Sequence, residues 1–201
     1  MRSMACARLS CAQVKSCVRS MSLHPAGAAW HAPALFMPSA LRGWLTDPHS
    51  LTSRIRARCR AFSVRPLRQC AARGERDEVP LLGVPPTQQV RVRDVLLYAD
   101  GVPVVFAHSV VRLHDVTGAW HMFAGVGVRP LGELLFADAR IARSPLSVRR
   151  LDDRHPLYRR ARAAGIVTDA PLWARRSLFL RAGRPLLVTE VFLPAIAGLA
   201  P

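Results

Sequence analysis

The chain has 201 residues, of which 50% are hydrophobic, and a formal net charge of +16. A single domain of this length can bury most of its apolar surface without disulfides, so the composition excludes a disordered or tail-like protein. No apolar run approaches the roughly 20 residues of a spanning helix, which predicts no stable membrane insertion. We expect a cytoplasmic protein and a monomer, since no amphipathic coiled-coil stretch indicates a dimer.

The positive charge comes almost entirely from arginine, because Lys15 is the single lysine among 29 basic residues. The chain also lacks asparagine and is poor in isoleucine, a bias typical of GC-rich coding sequences. The arginines are spread along the whole chain rather than gathered in one block, which favours solvated surface charge over a nucleic-acid footprint. We therefore predict no nucleic-acid partner, although such a field would attract a small dianionic substrate.

The first twenty residues contain no acid, and their basic residues are Arg2, Arg8, Lys15 and Arg19. They form no apolar stretch of secretory type, and Met21 offers a second start. We predict a dispensable leader or misassigned start at 1–20 and one functional domain at 21–201. The cysteines include no C-x-x-C pair, so no zinc site is predicted. Cys59 and Cys70 could form a disulfide, but in a reduced cytoplasm free thiols are favoured.

Helical signals come first along the chain, after an extended lead-in at 22–37. Ser39 is predicted to cap a short helix over 40–45, and Ser50 a second helix with Leu51 and Ile55 on one side. Ala61–Gln69 resembles a strand whose Pro66 restricts it to an edge or a bulge. A polar loop is expected over 71–87.

Most of the strands that follow are predicted to form hairpins. Gln89–Ala99 and Val102–Arg112 are joined by Asp100-Gly101, a strong hairpin signal. A short helix is predicted after Pro130, a strand over 139–149 and a helix over 155–164. A second hairpin turns at Ala182-Gly183 between 174–181 and 185–193. Paired strands that do not alternate with helices predict an α+β domain with a mainly antiparallel sheet.

Common catalytic motifs are absent, including G-x-S-x-G, the phosphate-binding loop and H-E-x-x-H. The seven histidines are scattered, and no nucleophile is placed beside His108 or His114. Two charges are more informative because side chains alternate along a strand. Arg93 shares a strand face with Val95 and Leu97, and Glu190 lies in an apolar row of the last strand. Either the two charges form buried salt bridges, with each other or with neighbours, or they face an enclosed ligand site.

The segment 93–101, RDVLLYADG, resembles the strand and turn of chorismate pyruvate-lyases. Arg129-Pro130-Leu131-Gly132 is similar to a second segment of that family, and 172–177 with 185–194 resembles its C-terminal hairpin. The resemblance runs from about Met21 to Leu199. It implies a curled antiparallel sheet of about six strands around an internal ligand cavity, covered by helices.

The resemblance also implies an activity: elimination of pyruvate from chorismate to give 4-hydroxybenzoate for ubiquinone biosynthesis, without a cofactor or a metal. Arg93 and the backbone amide of Leu131 would bind the ring carboxylate, and Glu190 would contact the 4-hydroxyl. A backbone contact that a methionine makes in the family would fall at Leu51. Arg93 and Glu190 are thus the predicted catalytic residues, with Glu190 either moving a proton or only positioning the substrate.

Two other functions compete with this one. Effector-binding domains of some bacterial transcription regulators share the implied fold, but residues 1–38 are too short and irregular for the winged helix that precedes such domains. An RNA-binding domain is disfavoured because aromatic residues make up only 6% of the chain and do not interleave with the arginines.

Overall fold

The fold is built around one curled antiparallel sheet. The computed structural model describes residues 30–33 and 37–199, and these contain seven strands. The strands are β1 Phe62–Arg73, β2 Gln89–Ala99, β3 Val102–Arg112, β4 Ile141–Arg143, β5 Ser147–Leu151, β6 Leu172–Arg181 and β7 Arg184–Phe192. Their order is β1-β2-β3-β7-β6-β4, and β5 also pairs with β6. The predicted α+β class is confirmed.

Short helices connect and cover the strands. They are α1 Ser39–Thr46, α2 Leu51–Arg56, α3 Val79–Leu82, α4 Leu131–Ala137 and α5 Pro156–Ala163, with 3₁₀ turns at Leu113–Thr117, His121–Phe123 and Pro194–Gly198. Ser50 caps α2 as predicted, because its hydroxyl accepts a hydrogen bond from the backbone N–H of Ser53. Ser39 does not cap α1; it lies inside the helix, and Pro38 occupies the cap position.

Both predicted hairpins are present. In the β2–β3 turn Asp100 and Gly101 have φ values of 49° and 80°, the pair of left-handed residues that a two-residue hairpin turn requires. The Asp100 carboxylate also accepts hydrogen bonds of 2.8 and 2.7 Å from the backbone N–H groups of Arg60 and Ala61. This side chain therefore ties the start of β1 to the hairpin. Along β1 the register shifts between Pro66 and Arg68, the bulge that Pro66 predicts.

Two stretches differ from the sequence prediction. The single strand expected over 139–149 is divided into β4 and β5, because Pro145 cannot donate to a ladder and the Ser144 side chain bonds to Leu178 N at 2.9 Å. This division makes seven strands instead of about six. The loop expected over 71–87 contains the end of β1 and the helix α3, whose Leu81 and Leu82 are buried.

The two faces of the sheet have different covers. On one face α1 and α2 pack on Val95 and Leu97, and α4 packs on Phe179 and the 3₁₀ turns. On the opposite face, α3 and α5 pack over the side chains that alternate with these. In the part of the chain that the structure describes, no helix is long and apolar enough to cross a membrane.

Candidate functional site

An internal cavity lies between the sheet and the N-terminal ends of α2 and α4. Its charged lining residues are Arg93, Arg143 and Glu190, and the rest of its wall is mostly apolar. The lining comprises Leu51, Thr52, Val64, Arg93, Val95, Leu97, Ala107, Ser109, Pro130, Leu131, Gly132, Leu135, Phe136, Arg143, Ser177, Phe179, Val188 and Glu190. The structure thus brings all four predicted site residues, Leu51, Arg93, Leu131 and Glu190, to the wall of one cavity.

Among the residues that the structure describes, Arg93 is a buried cation without an acidic partner. Its side chain projects from β2 and donates hydrogen bonds of 2.9 Å to Gly127 O and 3.2 Å to Arg129 O. The residue is 2% exposed, and no carboxylate of the described residues lies within ion-pair distance of it. Burial lowers the pKa of Arg93 to about 10, so the guanidinium remains charged at neutral pH. A buried charge of this kind is costly unless an anion joins it.

The N-termini of α2 and α4 converge on the same wall. Leu51 is the first residue of α2, and Leu131 is the first residue of α4. The first amides of a helix have no partner within it, so these N–H groups can bind oxygen atoms of a ligand. The helices approach closely at Gly132, where an added Cβ would lie 3.2 Å from the Thr52 hydroxyl. Together with Arg93 they form a site suited to a carboxylate.

Glu190 does not pair with Arg93. Its Oε2 accepts a hydrogen bond of 2.5 Å from Nε of Arg175, the cross-strand neighbour on β6. Arg175 also donates to the carbonyl oxygens of Trp44 and Asp47, at 2.7 and 2.8 Å. One buried guanidinium therefore connects the cavity carboxylate to the end of α1. Both possibilities left open by the sequence apply to Glu190, which is salt-bridged to a neighbour and lines the cavity.

Two arginines at the site were missed by the sequence prediction. The signal for Arg175 was present, because a two-residue turn at 182–183 places residue 175 opposite residue 190 in the predicted hairpin. Arg143 had no such signal, since it lies on a three-residue strand that only the folded sheet brings to the cavity. Its Nε donates to the Ser177 hydroxyl at 2.8 Å, and its Nη1 contacts Pro48 O.

A second charged cluster lies on the opposite face of the sheet, centred on His108. Its Nδ1 lies 2.5 Å from Asp94 Oδ1, and its Nε2 lies 3.0 Å from Glu78 Oε1. Burial alone would lower the pKa of His108, but the charges and hydrogen bonds of Glu78 and Asp94 raise it to about 9. This histidine does not line the cavity.

A family model described as "Chorismate lyase" matches residues 25–198 of the chain. The chain belongs to the chorismate lyase family. Proteins named "Probable chorismate pyruvate-lyase" are 52% identical over 183 residues in Aromatoleum aromaticum and 50% identical over 182 residues in Azoarcus sp.. These matches cover 89% and 88% of this chain, and 99% and 96% of the two relatives.

Solved structures with a similar fold have a much lower sequence identity to this chain. The C-terminal domain of PhnF has a TM-score of 0.53 at 14% identity, covering 85% of this chain and 94% of that one. The effector domain of PhnF from Mycobacterium smegmatis has a TM-score of 0.50 at 13% identity, covering 73% and 89%. At such identities the likeness shows a common fold and nothing about the ligand.

Proposed function

We propose that the chain eliminates pyruvate from chorismate and leaves 4-hydroxybenzoate. The observation that carries the proposal is Arg93: a buried guanidinium without a carboxylate partner among the described residues, in the cavity of a chorismate lyase family member. A benzoate-type carboxylate would supply the missing negative charge, and the amides of Leu51 and Leu131 would complete its hydrogen bonds. The apolar wall suits the ring.

In the proposed reaction, the bond between ring C3 and the enolpyruvyl oxygen breaks and C4 loses its hydrogen as a proton. The ring becomes aromatic, so the reaction needs orientation and charge stabilisation more than a strong nucleophile. The departing enolpyruvate gains one proton at its methylene carbon and becomes pyruvate. In this proposal Glu190, held by Arg175, accepts a hydrogen bond from the 4-hydroxyl and fixes the ring orientation.

Two routes for the C4 proton fit this site. Either Glu190 accepts it and solvent later protonates the enolpyruvate, or it passes directly to the methylene carbon of the substrate. Chorismate carrying deuterium at C4 separates them. Direct transfer retains the label in the methyl group of pyruvate, and transfer through Glu190 allows exchange with water, which mass spectrometry of the pyruvate would detect.

The activity itself is tested by incubating the purified chain with chorismate after EDTA treatment and dialysis. We expect the absorbance of 4-hydroxybenzoate to appear together with an equal amount of pyruvate. Activity that disappeared on EDTA treatment and returned with a divalent metal would contradict the prediction that no metal is needed. A chain that left chorismate unchanged would overturn the proposed reaction.

Substitutions of Arg93 and Glu190 test the site. Arg93→Gln should weaken 4-hydroxybenzoate binding by roughly 2–5 kcal/mol, with little loss of stability, because no carboxylate is left unpaired. Glu190→Gln should reduce turnover and also cost about 1–3 kcal/mol of stability, because it removes the charged partner of the buried Arg175. Calorimetric binding and thermal unfolding of both variants check this. Near-normal turnover per folded molecule would contradict the site assignment.

The biological setting proposed from the family resemblance is the supply of 4-hydroxybenzoate to ubiquinone biosynthesis in the cytoplasm. The fold likeness to effector domains does not favour a sensor here, because the family match spans residues 25–198. Action as a monomer without a nucleic-acid partner stays a prediction from the sequence.

A further inference from the structure

The cavity wall carries more positive charge than one carboxylate would need. Of the three charged residues described in this wall, Glu190 already pairs with Arg175. Arg93 and Arg143 remain, and within the described residues neither lies within ion-pair distance of an acidic group. Two guanidiniums without an ion-pair partner among the described residues, in a mostly apolar cavity, point to a ligand with two negative charges.

Arg143 is positioned by neutral groups. It projects from β4, donates to the Ser177 hydroxyl and to Pro48 O, and lies over the rings of Phe136 and Phe179 at 5.3 and 5.2 Å from their centroids. These contacts hold the side chain without neutralising it. Burial lowers the pKa of Arg143 to about 10, which leaves it charged at neutral pH.

The two arginines reach the cavity from strands that lie far apart in the sheet. Arg93 lies on β2 and Arg143 on β4, and β3, β7 and β6 lie between these strands. Arg143 and Phe136 also line a second, outer groove with Pro33, Thr46 and Pro145. Arg143 therefore lies at the boundary between the internal cavity and this groove, whereas Arg93 is closed off by the carbonyls of 127 and 129.

We infer that Arg143 binds the carboxylate of the enolpyruvyl group, the second carboxylate of chorismate. This inference rests on the proposed reaction, in which the ring carboxylate occupies the site at Arg93. Chorismate then lies across the cavity between two cations, and its leaving group faces the outer groove. The product 4-hydroxybenzoate has no second carboxylate, so Arg143 discriminates the substrate from the product.

The test compares binding of the two molecules to Arg143→Gln. The variant should lower kcat/KM for chorismate by roughly 10- to 100-fold, the usual effect of removing one charge-assisted contact. Its affinity for 4-hydroxybenzoate should stay within about twofold of the wild-type value. Arg93→Gln should weaken both ligands. Arg150→Gln, which removes an exposed arginine from β5, is the matched control and should change neither.

Arg143→Lys is a second variant for the case in which Arg143→Gln does not fold. It keeps the positive charge and loses only the two-pronged hydrogen-bonding geometry of the guanidinium. It should fall between the wild type and Arg143→Gln for chorismate and match the wild type for 4-hydroxybenzoate. An equal loss of affinity for both molecules in Arg143→Gln would show that the residue only supports the cavity, and an unchanged kcat/KM would also overturn the inference.

The role of Arg143 can be tested even if the chain does not carry out the proposed reaction. If the wild-type chain bound chorismate without converting it, calorimetry of chorismate binding to the wild type and to Arg143→Gln would still report on the second carboxylate. If it formed another product, the ratio of kcat/KM values for the two chains would serve the same purpose.

Discussion

Individual buried charges are treated differently on the two faces of the sheet. His108 has a carboxylate on each ring nitrogen, from Asp94 and Glu78. Arg93, one position before Asp94 on β2, donates only to carbonyl oxygens among the described residues. Removing one partner of a paired cluster costs much stability, whereas a buried cation without an anion gains from binding one. Adjacent residues of one strand therefore serve stability on one face and, in our proposal, binding on the other.

The His108 cluster predicts that stability falls at alkaline pH. The pKa of His108 is about 9 in the folded chain and about 6.5 when unfolded. Its contribution is therefore complete below about pH 6.5 and is lost as the pH rises through about 9. The pKa values of Asp94 and Glu78 are lowered, so their contribution is lost in acid instead.

Urea unfolding between pH 6 and pH 10 measures this loss. His108→Gln should be less stable at neutral pH by about 3–5 kcal/mol, because the buried Glu78 loses its cation and the buried Asp94 is left with Arg68 at 3.2 Å. It should also lack the alkaline fall seen in the wild type. The same alkaline slope in both chains would assign the effect to other groups.

At the scale of elements, the contact between α2 and α4 sets the shape of the proposed anion site. An alanine at 132 would place its Cβ 3.2 Å from Thr52 Oγ1 and 3.7 Å from Ser50 Oγ. The Thr52 side chain, or the helices themselves, would have to move by a few tenths of an ångström. The amides of Leu51 and Leu131, which begin these helices, would then no longer fit one carboxylate.

Gly132→Ala should therefore weaken 4-hydroxybenzoate binding by roughly 3- to 10-fold, equivalent to about 1 kcal/mol. Gly125→Ala is the matched control, because a Cβ there would meet no atom within 4 Å. Adding Thr52→Ala to Gly132→Ala removes the closest contact and should restore part of the affinity. Binding equal to that of the wild type in Gly132→Ala would show that the helix spacing does not matter.

The elements that were predictable from the sequence carry their signals locally. Asp100-Gly101 and Ala182-Gly183 specify tight turns between β-rich runs, and the bounds of β2 and β3 agree with the structure. The division of 139–149 was not predictable in the same way, because the role of Ser144 depends on Leu178, 34 residues away.

The residues of the candidate site were also predictable only where their signal is local in the sequence. Arg93 and Glu190 stood out because each interrupts an apolar strand face, a pattern with period two. Arg143 does not interrupt an apolar strand face, because β4 has only three residues and all three are half-buried. Its place at the cavity arises only when β4 pairs with β6 at Phe179.

At the scale of the whole molecule, the segment before α1 completes the packing around the sheet. His31 forms a bridge with Val148 of β5. Trp30 donates from Nε1 to Asp77 at 2.6 Å, and the guanidinium of Arg176 lies 4.2 Å from the centroid of its ring. Asp77 in turn pairs with Arg176 at 2.9 Å. Residues 30 and 31 thus join β5, β6 and the segment before α3.

The contacts of Trp30 and His31 provide a test of the proposal that 21–201 is the functional domain. The predicted leader at 1–20 lies outside the described residues, and the proposal rests on its lack of a periodic apolar face. A chain that starts at Met21 keeps Trp30 and His31, and it should unfold at the same temperature as the full chain with the same kcat/KM for chorismate. A chain that starts at residue 34 loses both residues and exposes the Arg176–Asp77 pair. It should be less stable by about 2 kcal/mol, a fall of several degrees in melting temperature, because it loses a charge-assisted hydrogen bond and a cation–π contact. Scanning calorimetry of the three chains measures the difference, and a melting temperature for the Met21 chain as low as that of the shorter one would place residues 1–20 within the folded domain.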